Sequence, residues 1–366
     1  MVQVAPTPFL GESAFEGEGI LGGGERYPLE LARALATEVD CELVTFGRRP
    51  RVIVEREGLR IRVVHTRVWL RRHPVHPLPA SLPTWLRGAD VVHTHHMRSA
   101  PSRIAAVAAR LSGQTAVVTD HGLGGGGWSG LLPRVFHGFL TVSEYSARTL
   151  SVPGCKTHVI YGGADPRRFF PGSEPRHGAL FVGRLTPHKG VDRLLRALPS
   201  GEALIIAGST GHDRREPERH YAQHLIRLAA DRDVRFVGSV ADSDLPALYR
   251  RARVLVLPSV HDTCYGRHIA ISELLSLTVI EAMASGTPVV CSRIGGVPEV
   301  VRDGETGYLV EPGNLGQLRE RLELILSDAA LARRLGRNAR QWVLERFTWR
   351  RCAERCLRAY DAVGKS

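Results

Sequence analysis

PSVHDTCYGRHIAISELLSLTVIEAMASGTPVVCSRIGGVPE, residues Pro258 to Glu299, follows the apolar run Val254–Leu257 and shows in miniature how its half of the chain is built. A loop of polar and small residues comes first. Glu273-Leu-Leu-Ser-Leu-Thr-Val-Ile-Glu281 then predicts a helix that Gly286 stops, since glycine accepts the left-handed backbone of a helix end. Thr287-Pro-Val-Val290 reads as a buried strand of the parallel-sheet type. Strand, loop, helix, strand is half of a doubly wound α/β domain, whose ligands gather where strands end and helices begin.

Two carboxylates eight positions apart are awkward to explain by packing. On a continuous helix Glu273 and Glu281 stand ~12 Å apart along the axis, about the span from a ribose to a hexose across a diphosphate. The amides of Leu274, Leu275 and Ser276 then fall at the helix start, where bare N–H groups and the dipole favour an anion. A surface glutamate before a helix and another within it would explain the same letters without a ligand. Spacing alone leaves both readings open.

The residues themselves go further. E-x7-E followed by AMASGTPVV and GGVPEVV resembles the donor-binding signature of the retaining GT-B glycosyltransferases of family 4. Other segments resemble that family in the same order: GGGERYPLELARALA (Gly22–Ala36), ADVVHTH (Ala89–His95), VVTDHG (Val117–Gly122), TVSEYS (Thr141–Ser146), LFVGRLTPHKGVDRLL (Leu180–Leu195) and ERFTWRRCAERCLRAYDAV (Glu345–Val363). The resemblance implies two Rossmann-like parallel-sheet domains facing across a cleft, with a C-terminal helix crossing back. The expected divisions are 1–165 for the acceptor-side domain, 176–345 for the nucleotide-sugar domain and 346–366 for the returning helix.

It also implies roles. Arg184 and Lys189, in the loop after Gly183, hold the diphosphate of a nucleotide-sugar donor. Glu281 takes the ribose hydroxyls, while Glu273 with Leu274, Leu275 and Ser276 positions the sugar. His121, Gly22 and Gly23 complete the donor site. The implied reaction moves a hexose-type sugar to an acceptor hydroxyl with retention. No second carboxylate is placed as nucleophile, so front-face attack is the expected route. The acceptor is a sugar, a small molecule or a lipid-linked sugar. Three departures from the family pattern bear on sugar specificity or the linker: Ser276 for a frequent glycine, Gly162 for a frequent asparagine, and a longer stretch His261–Ile271.

The cation loop bears on cofactors. A leaving diphosphate needs its developing charge neutralised by a metal or by fixed cations, and Arg184 and Lys189 supply the latter. No cofactor and no metal is therefore expected. The D-x-D pairs often used for metal are present as Asp231-Arg-Asp233 and Asp242-Ser-Asp244, but the first sits in a turn and the second fits a helix cap. His93, His95 and His96 lack acidic or cysteine partners and read as cleft lining. A G-x-G-x-x-G match at Gly122, Gly124 and Gly127 is followed by WSGLLP, not by the amphipathic helix of a dinucleotide site.

At 366 residues, with 43% apolar and 23% charged positions, the chain has the size of two domains and the composition of a globular protein. Its six cysteines include no C-x-x-C, and Cys352 and Cys356 lie one helical turn apart, reading as a helix face. No apolar run has the length of a membrane span and no export signal is visible, so a cytoplasmic protein is expected.

The net charge of +12 is partly local, with Arg48, Arg49, Arg51, Arg56, Arg60, Arg62, Arg67, Arg71 and Arg72 in one segment. Pro, Leu and Trp follow in 75–85, and this mixture predicts peripheral attachment to an anionic membrane. A soluble acceptor, a solvated face or nonspecific nucleic-acid binding would use the same charge, and no DNA- or RNA-reading motif is present. Residues 51–55 and 59–64 alternate across Gly58 like a hairpin. The Gly- and Pro-rich stretch 162–178 reads as an interdomain linker.

Overall fold

The computed structural model describes residues 1–6, 23–55, 57–70, 76–121, 132–150, 156–209 and 220–364. The chain forms two compact units, Met1–Gly162 with Trp349–Ser366, and Gly163–Thr348.

The first unit contains β1 (Val2–Val4), α1 (Gly23–Ala36), β2 (Glu42–Gly47), β3 (Arg51–Val54), β4 (Arg60–His65), β5 (Val91–His95), α2 (Ala100–Leu111), β6 (Thr115–Asp120), β7 (Gly138–Thr141), α3 (Glu144–Leu150) and β8 (Thr157–Val159). Among the described residues these strands form one sheet in the order β3-β4-β2-β1-β5-β6-β7-β8. All its pairings are parallel except β3 with β4, the hairpin predicted around Gly58. The parallel strands are apolar runs because helices cover them. Val4, Val44, Val92 and Val118 are fully or almost fully buried with Ala105 and Ala109 of α2. Ser99 caps α2 by accepting from the Ser102 amide.

The second unit contains β9 (His177–Val182), α4 (Val191–Ala197), β10 (Leu204–Ala207), α5 (Tyr221–Leu228), β11 (Val234–Gly238), α6 (Leu245–Arg251), β12 (Ala252–Leu257), α7 (Leu277–Ala284), β13 (Val289–Ser292), α8 (Val297–Val300), β14 (Gly307–Val310), α9 (Leu315–Ser327) and α10 (Ala329–Arg346). Its sheet, all parallel, runs β11-β10-β9-β12-β13-β14. The order reverses direction at β9, which pairs with β10 on one side and β12 on the other. The loops after β9 and β12 therefore lie at a switch point, where doubly wound sheets bind ligands.

The last helix, α11 (Trp349–Gly364), belongs to the first unit. Trp349, Cys352, Cys356, Tyr360 and Val363 form its buried face. Among the described residues no helix is long and apolar enough to cross a membrane.

Two sequence expectations change. The stretch 162–178 is not a free linker. Phe169 is 2% exposed and packs on Tyr249, Arg168 pairs with Asp242, and Ala164 bridges Thr348, because a phenylalanine and an arginine of the stretch find partners within the second unit. Strand β14 carries no strong signal, being four residues with glycine at its head. The second change concerns α7 and bears on the site.

Candidate active site

The second unit's switch point is assembled from three loops. After β9 the chain runs through Gly183 and Arg184 to a short helical turn, Pro187–Lys189, and then enters α4. Gly190 takes φ 68°, and a Cβ there would lie 2.0 Å from the Pro258 carbonyl oxygen. Only glycine fits, and the loop is thereby seated against the end of β12. The Val260 amide donates to the His188 carbonyl at 2.8 Å, tying the two loops together.

Glu273 is where these loops converge. Lys189 Nζ stands 2.6 Å from Glu273 Oε1, and Ser259 Oγ donates to the same oxygen at 2.6 Å. The carboxylate is buried, as is Ser259. From the other side, Gly295 at φ 57° presses its backbone on the Glu273 carbonyl, 1.7 Å from where a Cβ would sit. The Gly296 amide donates to that carbonyl at 3.2 Å. Arg184 is exposed in the same loop. Burial, with Lys189 adding to it, pushes His188 down to about 4, so its imidazole is neutral near neutral pH.

The helix after Glu273 begins later than the sequence reading held. Ser276 is extended at φ −109° and ψ 104°, and α7 starts at Leu277. Leu274, Leu275 and Ser276 therefore do not supply the first helical amides. Ser276 instead caps the helix, its hydroxyl accepting from the Val279 amide at 3.4 Å, which leaves the amides of Leu277 and Thr278 at the helix mouth. Glu273 stands in the loop, so the ~12 Å helical separation from Glu281 does not apply. Glu281 is 1% exposed inside α7 and accepts a hydrogen bond from the Tyr249 hydroxyl at 3.0 Å. Sequence reasoning missed Tyr249 and Ser259. The second stands within the quoted stretch, immediately after the strand-ending Pro258.

In the first unit, His121 follows the end of β6. Its Nε2 lies 3.1 Å from His95 Nδ1, and His95 Nε2 lies 3.1 Å from Gln3 Oε1. Beside this row His93 bonds the Tyr360 hydroxyl at 2.8 Å and Thr119 at 2.7 Å. Tyr27 sets its ring edge-on to His121 at 4.7 Å. His93 and His95 are thus buried and hydrogen-bonded within their unit rather than lining a cleft. Burial pushes His93 down to about 3 and His96 down to about 4, and burial with neighbouring imidazoles holds His95 and His121 well below the usual histidine range. Gly23 opens α1 and is exposed. Gly22 and the glycine run Gly122–Gly127 lie outside the described residues.

The D-x-D pairs serve other ends. Asp231 and Asp233 are exposed in the turn before β11. Asp242 pairs with Arg168, while Asp244, at the cap position of α6, makes no side-chain cap bond and accepts from the Ser243 hydroxyl at 3.3 Å. The arginine segment is partly neutralised. Arg60 and Arg62 both pair with Glu42, and Arg62 also lies 4.0 Å over the Trp85 ring. Arg56, Arg71 and Arg72 fall outside the described residues.

Residues 167–342 match the family "Glycosyl transferases group 1", and residues 21–168 match "Glycosyltransferase Family 4". An uncharacterized glycosyltransferase of Methanocaldococcus jannaschii is 31% identical over 241 residues, covering 60% of this chain and 57% of its own length. A glycogen synthase of Mycobacterium tuberculosis is 33% identical over 303 residues, covering 75% of this chain and 69% of its own. The matched part thus spans less than two thirds of the first relative and slightly more than two thirds of the second. A solved Anabaena protein, HepE in complex with UDP and glucose, superposes with a TM-score of 0.75 at 18% identity, covering 99% of both chains, which shows a shared GT-B fold.

Proposed function

This chain belongs to the group 1 glycosyl transferases, and from that premise we propose that it moves a hexose-type sugar from a nucleotide-diphosphate donor to an acceptor hydroxyl, with retention and without a divalent metal. The observation that carries the reading is the Lys189–Glu273–Ser259 constellation at the second unit's switch point.

In the proposed mechanism Arg184 and Lys189 stabilise the charge that develops on the diphosphate as the anomeric C–O bond breaks. Glu273, oriented by Ser259, accepts hydrogen bonds from the sugar's hydroxyls. The acceptor oxygen forms its new bond on the face the diphosphate leaves, and its proton passes to a phosphate oxygen. Glu281 binds the ribose, with Tyr249 fixing the carboxylate's direction. That a glycogen synthase is among the relatives supports a hexose as the transferred group.

The test is nucleoside-diphosphate release across UDP-, GDP- and ADP-sugars, with and without sugar acceptors, before and after EDTA treatment. Acceptor-dependent release that survives EDTA is expected. Loss on chelation, restored by Mg²⁺ or Mn²⁺, would overturn metal independence. Release without any acceptor would favour a hydrolase, and an isomerised donor an epimerase.

Peripheral attachment to anionic lipid is proposed on a separate observation. On β3 Val52 and Val54 are 49% and 69% exposed, and Val68, Trp85, Arg48, Arg49 and Arg67 of the same unit are also exposed. Apolar side chains with neighbouring cations suit a headgroup boundary, each cation adding ~1 kcal/mol. Pelleting with phosphatidylglycerol vesicles at low salt, lost at moderate salt, is expected. No pelleting at low salt leaves a soluble acceptor.

A further inference from the structure

A second cluster of donor atoms lies in the same unit and takes no part in that mechanism. Asp192 sits in the first turn of α4, fully buried, and its Oδ1 accepts from the Tyr221 hydroxyl at 2.7 Å while Arg193 pairs with its other oxygen. His224 lies one turn along α5 from Tyr221 and stacks on that ring. Its Nε2 is buried and has no hydrogen-bond partner among the described residues. Cys264 comes from the stretch 261–271, between β12 and Glu273.

That stretch is folded back on itself. Thr263 and Arg267 close a turn through the bonds Thr263 N to Arg267 O (3.0 Å) and Arg267 N to Thr263 Oγ1 (3.1 Å), and the Ile269 amide reaches the His261 carbonyl at 2.8 Å. The turn presents Cys264 and Tyr265 to the core, with Tyr265 edge-on to Tyr221. A ligand atom from each of Asp192, His224 and Cys264 lies within 4.8 Å of the other two.

We propose that Asp192, His224 and Cys264 form a binding site for a divalent transition metal of the zinc class. A thiolate, an imidazole and one carboxylate are the donors such an ion selects, and three protein ligands leave a fourth position for water. Ligand atoms around tetrahedral zinc stand roughly 3.3–3.8 Å apart, so a contraction of about 1 Å completes the geometry. The buried Nε2 gains the partner it lacks. Tyr221, donating to Asp192, plays the part of the outer hydrogen bond that fixes a metal-bound carboxylate. The metal would brace the 261–271 turn against α4 and α5. It performs no step of the transfer, and its binding is measured without turnover, so the two readings fail separately.

The test uses untagged full-length protein, stripped by chelation and titrated with cobalt(II). One equivalent should bind, with the near-ultraviolet thiolate-to-metal absorption of a Cys ligand. Cys264→Ser should abolish that absorption, His224→Gln should weaken binding at least as strongly as an outer-ligand loss, and Tyr221→Phe should weaken it ~10–100-fold. No thiolate absorption at millimolar cobalt, or the same absorption in Cys264→Ser, overturns the site. Should a variant fail to fold, alkylation of wild-type Cys264 read by mass spectrometry decides the matter. Protection by zinc is expected, and unchanged labelling contradicts the proposal.

Discussion

The two units are built on the same parallel-sheet plan, yet they bury polar chemistry in opposite ways. At the second unit's switch point a cation and a carboxylate meet, Lys189 and Glu273, with Ser259 completing the carboxylate's shell. Beside the first unit's β5 and β6 lie neutral imidazoles, of which His93, His95 and His121 bond one another or Gln3, Thr119 and Tyr360, while His96 is buried with its Nδ1 unpartnered among the described residues. A buried ion pair is costly to break on one side, since the remaining charge keeps its desolvation penalty. A buried neutral histidine is costly to charge. The first arrangement resists mutation poorly, the second resists acid poorly.

Acid should therefore separate them most strongly. His93 at about 3 and His96 at about 4 lie below the ordinary histidine value near 6.5, so the unfolded chain binds more protons between those values. Their contribution is fully present above about pH 6.5 and is lost as pH falls toward the folded values. At pH 5 each should have lost about 2 kcal/mol, roughly 4 for the two in the first unit, against about 2 in the second from His188, which is likewise pushed down to about 4. Thermal melts from pH 7.5 to 5, with hydrogen exchange assigning the transition, should show the first unit opening before the second. Equal loss in both units would contradict the contrast.

Glycine substitutions sharpen the comparison next. Gly295 in the second unit and Gly113 in the first both have positive φ, but a Cβ at Gly295 meets the Glu273 carbonyl whereas one at Gly113 meets nothing within 4 Å. Gly113→Ala should cost only the left-handed backbone penalty, about 1–2 kcal/mol. Gly295→Ala should cost roughly 1–3 kcal/mol more and displace Glu273. Urea titrations of both variants check this, and similar midpoints would mean that the clash relaxes without strain.

Tyr249→Phe should cost less than Gly295→Ala. It removes one hydrogen bond to the buried Glu281 carboxylate, worth about 1.5–3 kcal/mol of stability. A rise in donor KM with little change in kcat would support the ribose role of Glu281, and an unchanged KM would speak against it.

How much of this was legible varies with the physics. The strands were readable because parallel strands covered on both faces must be apolar runs, as in Val254–Leu257 and Val289–Val290. The cation loop was readable because glycine, arginine and lysine follow such a run directly. The start of α7 was not. Leu274 and Leu275 are good helix formers, but the Glu273 carbonyl is turned to the Gly296 amide and Ser276 is held extended, so the helix begins only at Leu277. That contact joins residues 23 positions apart, beyond the reach of local pattern. The imidazole row was hidden for the same reason. Gln3, His95 and His121 come from three strands or strand ends, and only the sheet order β1-β5-β6 sets them side by side. The pairing of Arg60 and Arg62 with Glu42 likewise depends on strand register, which composition does not carry.

The central claim is that Lys189 supplies the fixed charge for a leaving diphosphate. The most direct measurement is kcat/KM for nucleoside-diphosphate release by Lys189→Ala against the wild-type chain, with its preferred donor and acceptor and in the presence of EDTA. Folding of the variant is confirmed beforehand by its melting transition. Loss of a preorganised charge should lower kcat/KM by ~10²–10³-fold, mainly through kcat, while the wild-type rate survives chelation. A folded Lys189→Ala enzyme with a near-normal kcat/KM would contradict the account and place the diphosphate elsewhere.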